Sequence, residues 1–369
     1  MTGSSPRAQL DRLWQRGRAF LGCDLAIMGG AMSWVSERNL VAAISNGGGF
    51  GVLACGSMTP AQLSAEIEAT ERLTRQPFGV NLISMHPQLE ALIAVCIDHR
   101  MSHVVLAGTL PSALSIRRLK DGGARVMSFA SALVIARKLV RMGVDALIIE
   151  GNEAGGHVGP VSTSVLAQEI LPEVRDVPIF VAGGIGRGEA IVSYLEMGAS
   201  GVQIGTRFVC ATESIAHPRF KRAFIKAGAR DAVASVQLDP RFPVIPVRAL
   251  VNEATRRFQD TQREVIARFY SGELTQKEAQ LEIEHFWAGA LRRAVIDGDV
   301  EHGSLMAGQS VGMVTREQPT GQILTELIAE AEATVERRRQ QLVGRDTAAM
   351  VGLPAGALEA ADPENDGFG

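Results

Sequence analysis

Residues 178–209 read PIFVAGGIGRGEAIVSYLEMGASGVQIGTRFV. Two short apolar runs, 178–182 and 201–208, flank a segment with helical spacing at 189–197. Both runs are nearly continuous in apolar residues rather than alternating, which is the pattern of strands buried on both faces of a parallel sheet. Each leads into glycine: Ala182-Gly183-Gly184-Ile185 after the first, Gln203-Ile204-Gly205-Thr206-Arg207 at the end of the second. Glycine lacks a Cβ, so main-chain N–H groups there can close on an anion. A helix starting at 187–190 would add its positive end. Thr206 can donate a hydroxyl hydrogen bond and Arg207 can supply charge. The competing account is that these glycines only make tight turns.

The same unit repeats upstream. Apolar runs occur at 25–27, Gly51–Ala54, Phe78–Ile83, 103–106, 125–129 and Ala146–Glu150. Helical spacing separates them at Pro60–Leu73, 87–99, 112–120, 132–142 and 165–174. That makes eight strands with helical crossovers. A doubly wound sheet would carry its glycine-rich phosphate loop after the first strand, whereas here the richest loops follow the seventh and eighth. The fold class expected is α/β, a (β/α)8 barrel with a mainly helical insertion after strand eight. The barrel is assigned to 20–208 and 310–342, with a closing helix over 322–342. Residues 209–309, with Pro240, Pro243, Pro246 and a polar helical stretch from Arg248 to Gln280, read as an insertion or lid. Residues 343–369 have little to bury and read as a disordered tail.

Composition limits the function classes. The 369 residues are 46% hydrophobic with net charge −3, which argues against a general nucleic-acid binder. No N-terminal stretch is apolar enough for a leader or a membrane span, so a cytoplasmic enzyme with no membrane partner is expected. Cys23, Cys55, Cys96 and Cys210 form no CxxC. His86, His99, His103, His217 and His285 lack metal-like spacing, so no metal site is expected.

Three further segments belong at the barrel mouth, where the loops after the strands gather. EGNEAGGHVG (150–159) puts His157 in a mobile glycine loop, with a side chain whose ordinary pKa suits proton transfer. Glu153 either orients it or is solvated. GGAMSW (29–34) offers backbone at Gly29, Gly30 and Ala31 that could lie flat against a planar ring. Trp34 is a ring contact or a core residue. Asn81, inside the apolar run FGVNLI, needs a partner if buried, either a ligand edge or a backbone group. GDVEHGSLMAGQSVG (298–312) is a small-residue segment that could fold back over the mouth.

Taken together, GGAMSWVSERNLVAAISNGGGFGVL (29–53), QPFGVNLI (76–83), EGNEAGGHVG, VAGGIGRGEA with GASGVQIGTRFV, ESIAHPRFK (213–221) and GDVEHGSLMAGQSVG resemble the nitronate monooxygenase family. This family is also called the 2-nitropropane dioxygenase family and includes the flavin-dependent enoyl-acyl carrier protein reductase II enzymes. The resemblance runs from about residue 20 to 340. It implies non-covalent FMN, contacted by Asn81, Gly183, Gly184, Gln203, Ile204, Gly205 and Thr206, with Met306 and Gln309 close to the ring and His157 on the substrate side. It implies an FMN-dependent oxidoreductase of nitronate monooxygenase type, oxidising alkyl nitronates with O2 to a carbonyl compound and nitrite. The alternative is an NAD(P)H-dependent enoyl-acyl carrier protein reductase, which would bring acyl carrier protein as a partner, or a broader NAD(P)H:flavin or quinone oxidoreductase. A homodimer is left open. Ala26 and Met28 stand where the family often has Pro and Gln, which removes one amide near the flavin. HVVLAGTL (103–110) departs from the usual fourth-strand pattern. GSLMAGQ is closer to the enoyl reductases, and the tyrosine-rich C-terminal pattern of one monooxygenase class is missing.

Overall fold

Eight parallel strands form one sheet. They are β1 (Ile27–Gly29), β2 (Gly51–Ala54), β3 (Phe78–Ile83), β4 (His103–Ala107), β5 (Arg125–Ala130), β6 (Ala146–Glu150), β8 (Ile179–Ala182) and β9 (Gly201–Ile204). Their order is β1-β9-β8-β6-β5-β4-β3-β2. The two ends meet through a parallel bridge between Met28 and Phe50, where Gly29 N donates to Phe50 O at 2.9 Å. The sheet is therefore a nearly closed (β/α)8 barrel with helices between its strands, as the repeat of apolar runs predicts. The computed structural model describes residues 5–242, 246–287 and 289–350.

The strand interior divides by parity. Met28, Val52, Val105, Met127, Ile148, Phe180 and Ala182 fill the barrel lumen as one buried cluster. The alternate residues, among them Leu53, Val80, Leu82, Leu106, Leu147, Ile149 and Val181, face the helix layer in the larger cluster. Two-sided burial is why these runs show no polar alternation.

The lower end of the barrel is closed by two helices that the sequence does not announce, Pro6–Leu13 and Gln15–Leu21. Leu21 joins the lumen cluster and Phe20 packs against it. His103 Nε2 bonds to the Phe20 carbonyl at 2.9 Å, and Arg125 donates to the same oxygen. Burial holds the His103 imidazole down at about 4, so it is neutral and structural.

Several boundaries differ from expectation. The first strand is Ile27–Gly29 rather than 25–27. The last strand ends at Ile204, and Thr206–Val209 is a short helix. The segment after the barrel is mainly helical, with Pro218–Lys226, Glu253–Tyr270, Gln276–His285 and Ala290–Val295. It also contains strands β10 (Ala232–Ala234) and β11 (Val247–Leu250). Arg248 is therefore in a strand, not at a helix start. These two pair with β7 (Gly156–His157) as a small antiparallel sheet in the order β10-β11-β7. The closing helix is Thr320–Met350, eight residues beyond the expected end at 342. Residues 351–369 of the expected tail, and Pro243, lie outside the described residues.

Phe180 is fully buried in the lumen. Phe180→Ala leaves a void that the closed barrel cannot collapse into, with an expected loss of about 3–5 kcal/mol, read by urea denaturation.

Candidate active site

The loops after the strands converge at the C-terminal end of the barrel. The turn after β8 requires glycine, because Gly183 and Gly184 have φ of 97° and 72°. It is also tight. A Cβ on Gly183 would lie 2.9 Å from Thr163 Oγ1, and one on Gly184 would lie 3.0 Å from Glu153 Cβ. Only a residue without a side chain fits both the backbone and the space. After β9, the main chain turns at Gly205 into the helix Thr206–Val209. The amides of Gly183, Gly184, Ile185, Gly205 and Thr206 donate to no carbonyl among the described residues. These free donors lie at the ends of two adjacent strands, as an anion cradle requires.

Two elements expected to join the cradle are engaged elsewhere. The N-terminus of the helix Gly188–Glu196 receives Glu330 from the closing helix, with Gly188 N to Glu330 Oε2 at 2.8 Å. Its positive end is thus already satisfied. Arg207 donates to Met313 O at 2.8 Å and lies 3.4 Å from Glu326 Oε2. Thr206 does stay at the cradle. Its Oγ1 accepts from Gly308 N at 3.0 Å, and its hydroxyl proton has no acceptor among the described residues.

Register sets which side chains point into the mouth. Gln203 pairs with Met28 and Ala182, and Asn81 pairs with Val105, so both carboxamides share the lumen face. Gln203 and Asn81 are buried, at 8% and 6% exposure, and neither amide has a partner among the described residues. Neither carboxamide is among the fully enclosed unpaired polar groups, so both open toward the mouth. Glu150 shares their face through its pairing with Ala182. Burial raises its pKa to about 8. It escapes the motif reading because it stands at the end of ALIIE, although Ala146, Ile148 and Glu150 share one parity and the apolar strand thus ends in an inward acid.

The AGGH loop is fixed by Glu153. Its Oε2 accepts from both Thr163 N and Thr163 Oγ1 at 2.8 Å, which caps the helix Thr163–Ile170, whose N-cap residue Ser162 makes no side-chain cap bond. Its carbonyl accepts from Gln309 N at 2.9 Å. Of the two roles open for Glu153, neither orienting His157 nor simple solvation matches these bonds; it is a structural clamp. Nothing in the pattern around Thr163 marks that residue as its partner. His157 is exposed at the rim and forms no side-chain hydrogen bond among the described residues, and partial desolvation lowers its pKa from the ordinary imidazole value. It pairs with Val247, which ties the mouth to the small antiparallel sheet.

The late segment does return to the mouth. Met306 bridges Ala249, and its Sδ would lie 3.5 Å from a Cβ on Gly156. Gly30, from the first loop, donates to Ile204 O at 2.8 Å. A Cβ on Gly30 would meet the Gln203 side chain and Gly205 Cα at 3.6 Å. Gly29, Gly30 and Ala31 therefore adjoin the β9 turn. Trp34 has a positive φ of 67°, packs partly on the main core and lies beneath the Arg292 guanidinium, 5.8 Å from its ring centre. The described residues contain no cluster of metal ligands, and no helix among them is long and apolar enough to cross a membrane. Glu153→Ala would uncap the helix at Thr163, lowering stability by about 0.5–2 kcal/mol in urea titration.

The family model for nitronate monooxygenase matches residues 18–92 and 88–330, which includes every loop of the mouth. The chain is 29% identical over 343 residues to (3aS,4S,5R,7aS)-5-hydroxy-7a-methyl-1-oxo-octahydro-1H-indene-4-carboxyl-CoA dehydrogenase of Mycobacterium tuberculosis, covering 84% of this chain and 94% of that protein. It is 27% identical over 368 residues to the nitronate monooxygenase of Paraburkholderia phytofirmans, covering 87% and 96%. Among solved structures, FabK from Thermotoga maritima superposes with a TM-score of 0.80 at 35% identity, covering 88% of this chain and 98% of that one. By its whole length of barrel and mouth, this chain belongs to the nitronate monooxygenase family of flavin-dependent oxidoreductases.

Proposed function

We propose that this chain is an FMN-dependent oxidoreductase in which His157 exchanges a proton with a carbon acid held over the flavin. One observation carries the reading: Asn81 and Gln203, largely buried and without a hydrogen-bond partner among the described residues, face a mouth whose adjacent turns offer main-chain amides that donate to no carbonyl among those residues. That donor set fits a planar heterocycle bearing a phosphate. Gly183, Gly184, Gly205 and Thr206 would hold the phosphate. Gly29, Gly30, Ala31 and Ile204 would line the ring, with Asn81 and Gln203 on its polar edge. Met306 and Gln309 would close the side next to the AGGH loop. Bound there, FMN supplies a reversible acceptor for an electron pair.

The chain's own contribution is position and proton handling. With its pKa lowered, His157 is neutral near pH 7, so it can accept a proton rather than supply a fixed positive charge. That suits removal of an α-proton from carbon beside a strongly electron-withdrawing group. Nitronate monooxygenase chemistry, on a nitroalkane or its nitronate, is the first substrate reading. Residues 209–309 would act as its lid, since β11 holds His157 from the outside.

A second reading is oxidoreduction beside a thioester carbonyl, with NAD(P)H as co-substrate in the reductive direction. The Mycobacterium tuberculosis relative, aligned over 94% of its length, is named as acting on a coenzyme A thioester.

Anaerobic mixing of the FMN-loaded protein separates the two. Bleaching by an alkyl nitronate and not by NAD(P)H supports the first reading. Bleaching by NAD(P)H or a saturated acyl-CoA, and not by nitronate, supports the second. His157→Ala is expected to reduce turnover of the neutral carbon acid by about 10²–10⁴-fold with flavin content unchanged. Turnover equal to the parent protein would remove His157 from the chemistry.

A further inference from the structure

Pairing places Glu150, Ala182 and Gln203 side by side on three neighbouring strands, all facing the lumen, with Asn81 on the same inner face from β3. Beneath this layer the barrel is filled by Met28, Val105, Met127, Ile148 and Phe180. Glu150 is thus a carboxyl standing on an apolar core at the entrance. It has no hydrogen bond and no ion pair among the described residues.

The charged and titratable groups on the surrounding elements are engaged with other partners or make no bond to it. Glu153 is held by Thr163. Arg248 donates to Asn152 O and Ala232 O. Arg207 bonds to Met313 O and Glu326. Arg125 and His103 share the Phe20 carbonyl at the opposite end of the barrel. His157 makes no side-chain hydrogen bond among the described residues. Glu150 is half-buried, and an ionised carboxylate left unpaired over an apolar core is disfavoured. Burial is the cause of its raised pKa of about 8, with no neighbouring charge contributing.

We propose that Glu150 is the third polar group of the layer facing the flavin, a neutral carboxylic acid that donates a hydrogen bond to an acceptor on the isoalloxazine and so couples FMN affinity to pH. The inference rests on the FMN reading above. In its neutral form, Glu150 offers one donor and one acceptor, as Asn81 and Gln203 do through their amides. Once ionised it can only accept, and it sets a negative charge against the ring. The sign follows from linkage. The folded protein holds this proton above the ordinary carboxyl pKa, and a ligand that needs the proton raises that pKa further, so affinity is full below about 8 and falls as pH rises through it.

The test is fluorescence titration of FMN into the full-length apoprotein between pH 7 and 9.5, where the phosphate stays dianionic. For the parent protein the Kd should rise by about tenfold or more across this range. Glu150→Gln keeps the shape and the donor but cannot ionise. Its Kd should match the parent at pH 7 within about threefold and stay flat to pH 9.5. A parent Kd that does not change with pH, or a Glu150→Gln profile that weakens with pH as the parent does, overturns the role of Glu150 while leaving FMN binding intact. Failure of the parent protein to take up FMN at any pH overturns the cofactor reading, and this inference with it.

Discussion

Glu153 is the joint on which the mouth of the barrel depends. Its carboxylate takes both the N–H and the hydroxyl of Thr163, and its main-chain carbonyl takes the N–H of Gln309. Thr163 Oγ1 in turn lies 3.1 Å from Gly183 O, and Gly308, next to Gln309, donates to Thr206. One side chain and its peptide thus register the loop after β6, the turn after β8, the short helix after β9 and a segment about a hundred residues downstream. These loops approach so closely that side chains are excluded. A Cβ on Gly151 would stand 2.1 Å from Thr163 N, and one on Gly155 would stand 2.6 Å from Gly308 N. The glycine content of these motifs follows from this packing as well as from the need to expose amides.

Above the apolar lumen, the fold leaves a layer of polar groups without hydrogen-bond partners among the described residues. In a packed barrel, this is the one level where a polar side chain can face inward without being sealed, because the strands end there. Asn81 and Gln203 use carboxamides and Glu150 a carboxylic acid, so the layer combines fixed donors with one titratable group. His157 approaches from outside this layer, carried on a two-residue strand that pairs with β11. His157 and the inward polar layer at the strand ends therefore rest on different supports, the small antiparallel sheet and the barrel itself.

Much of the barrel is legible in the sequence because strands buried on both faces are written as apolar runs. FGVNLI and ALIIE are found with their boundaries for that reason. GVQIGTRF misleads because its apolar character continues past Gly205, where the chain has already turned into a helix whose residues are buried by the closing segments. The β10-β11-β7 sheet is not legible. Its strands are two to four residues long and pair across long separations, so neither length nor period marks them. The gathering of Gly183, Gly205, His157 and Met306 is legible only through their motifs. The clamp role of Glu153 and the inward aim of Glu150 depend on register and on a threonine with no distinguishing context, and no sequence pattern marks either.

The cofactor proposal rests on main-chain amides at the ends of β8 and β9 binding the phosphate of a flavin. Calorimetric titration of the apoprotein with FMN and with riboflavin, which has the same ring and lacks the phosphate, tests it most directly. One FMN per chain is expected, with riboflavin weaker by on the order of 10²-fold, about 2.7 kcal/mol. Equal affinity for the two flavins, or no heat from either, would contradict it.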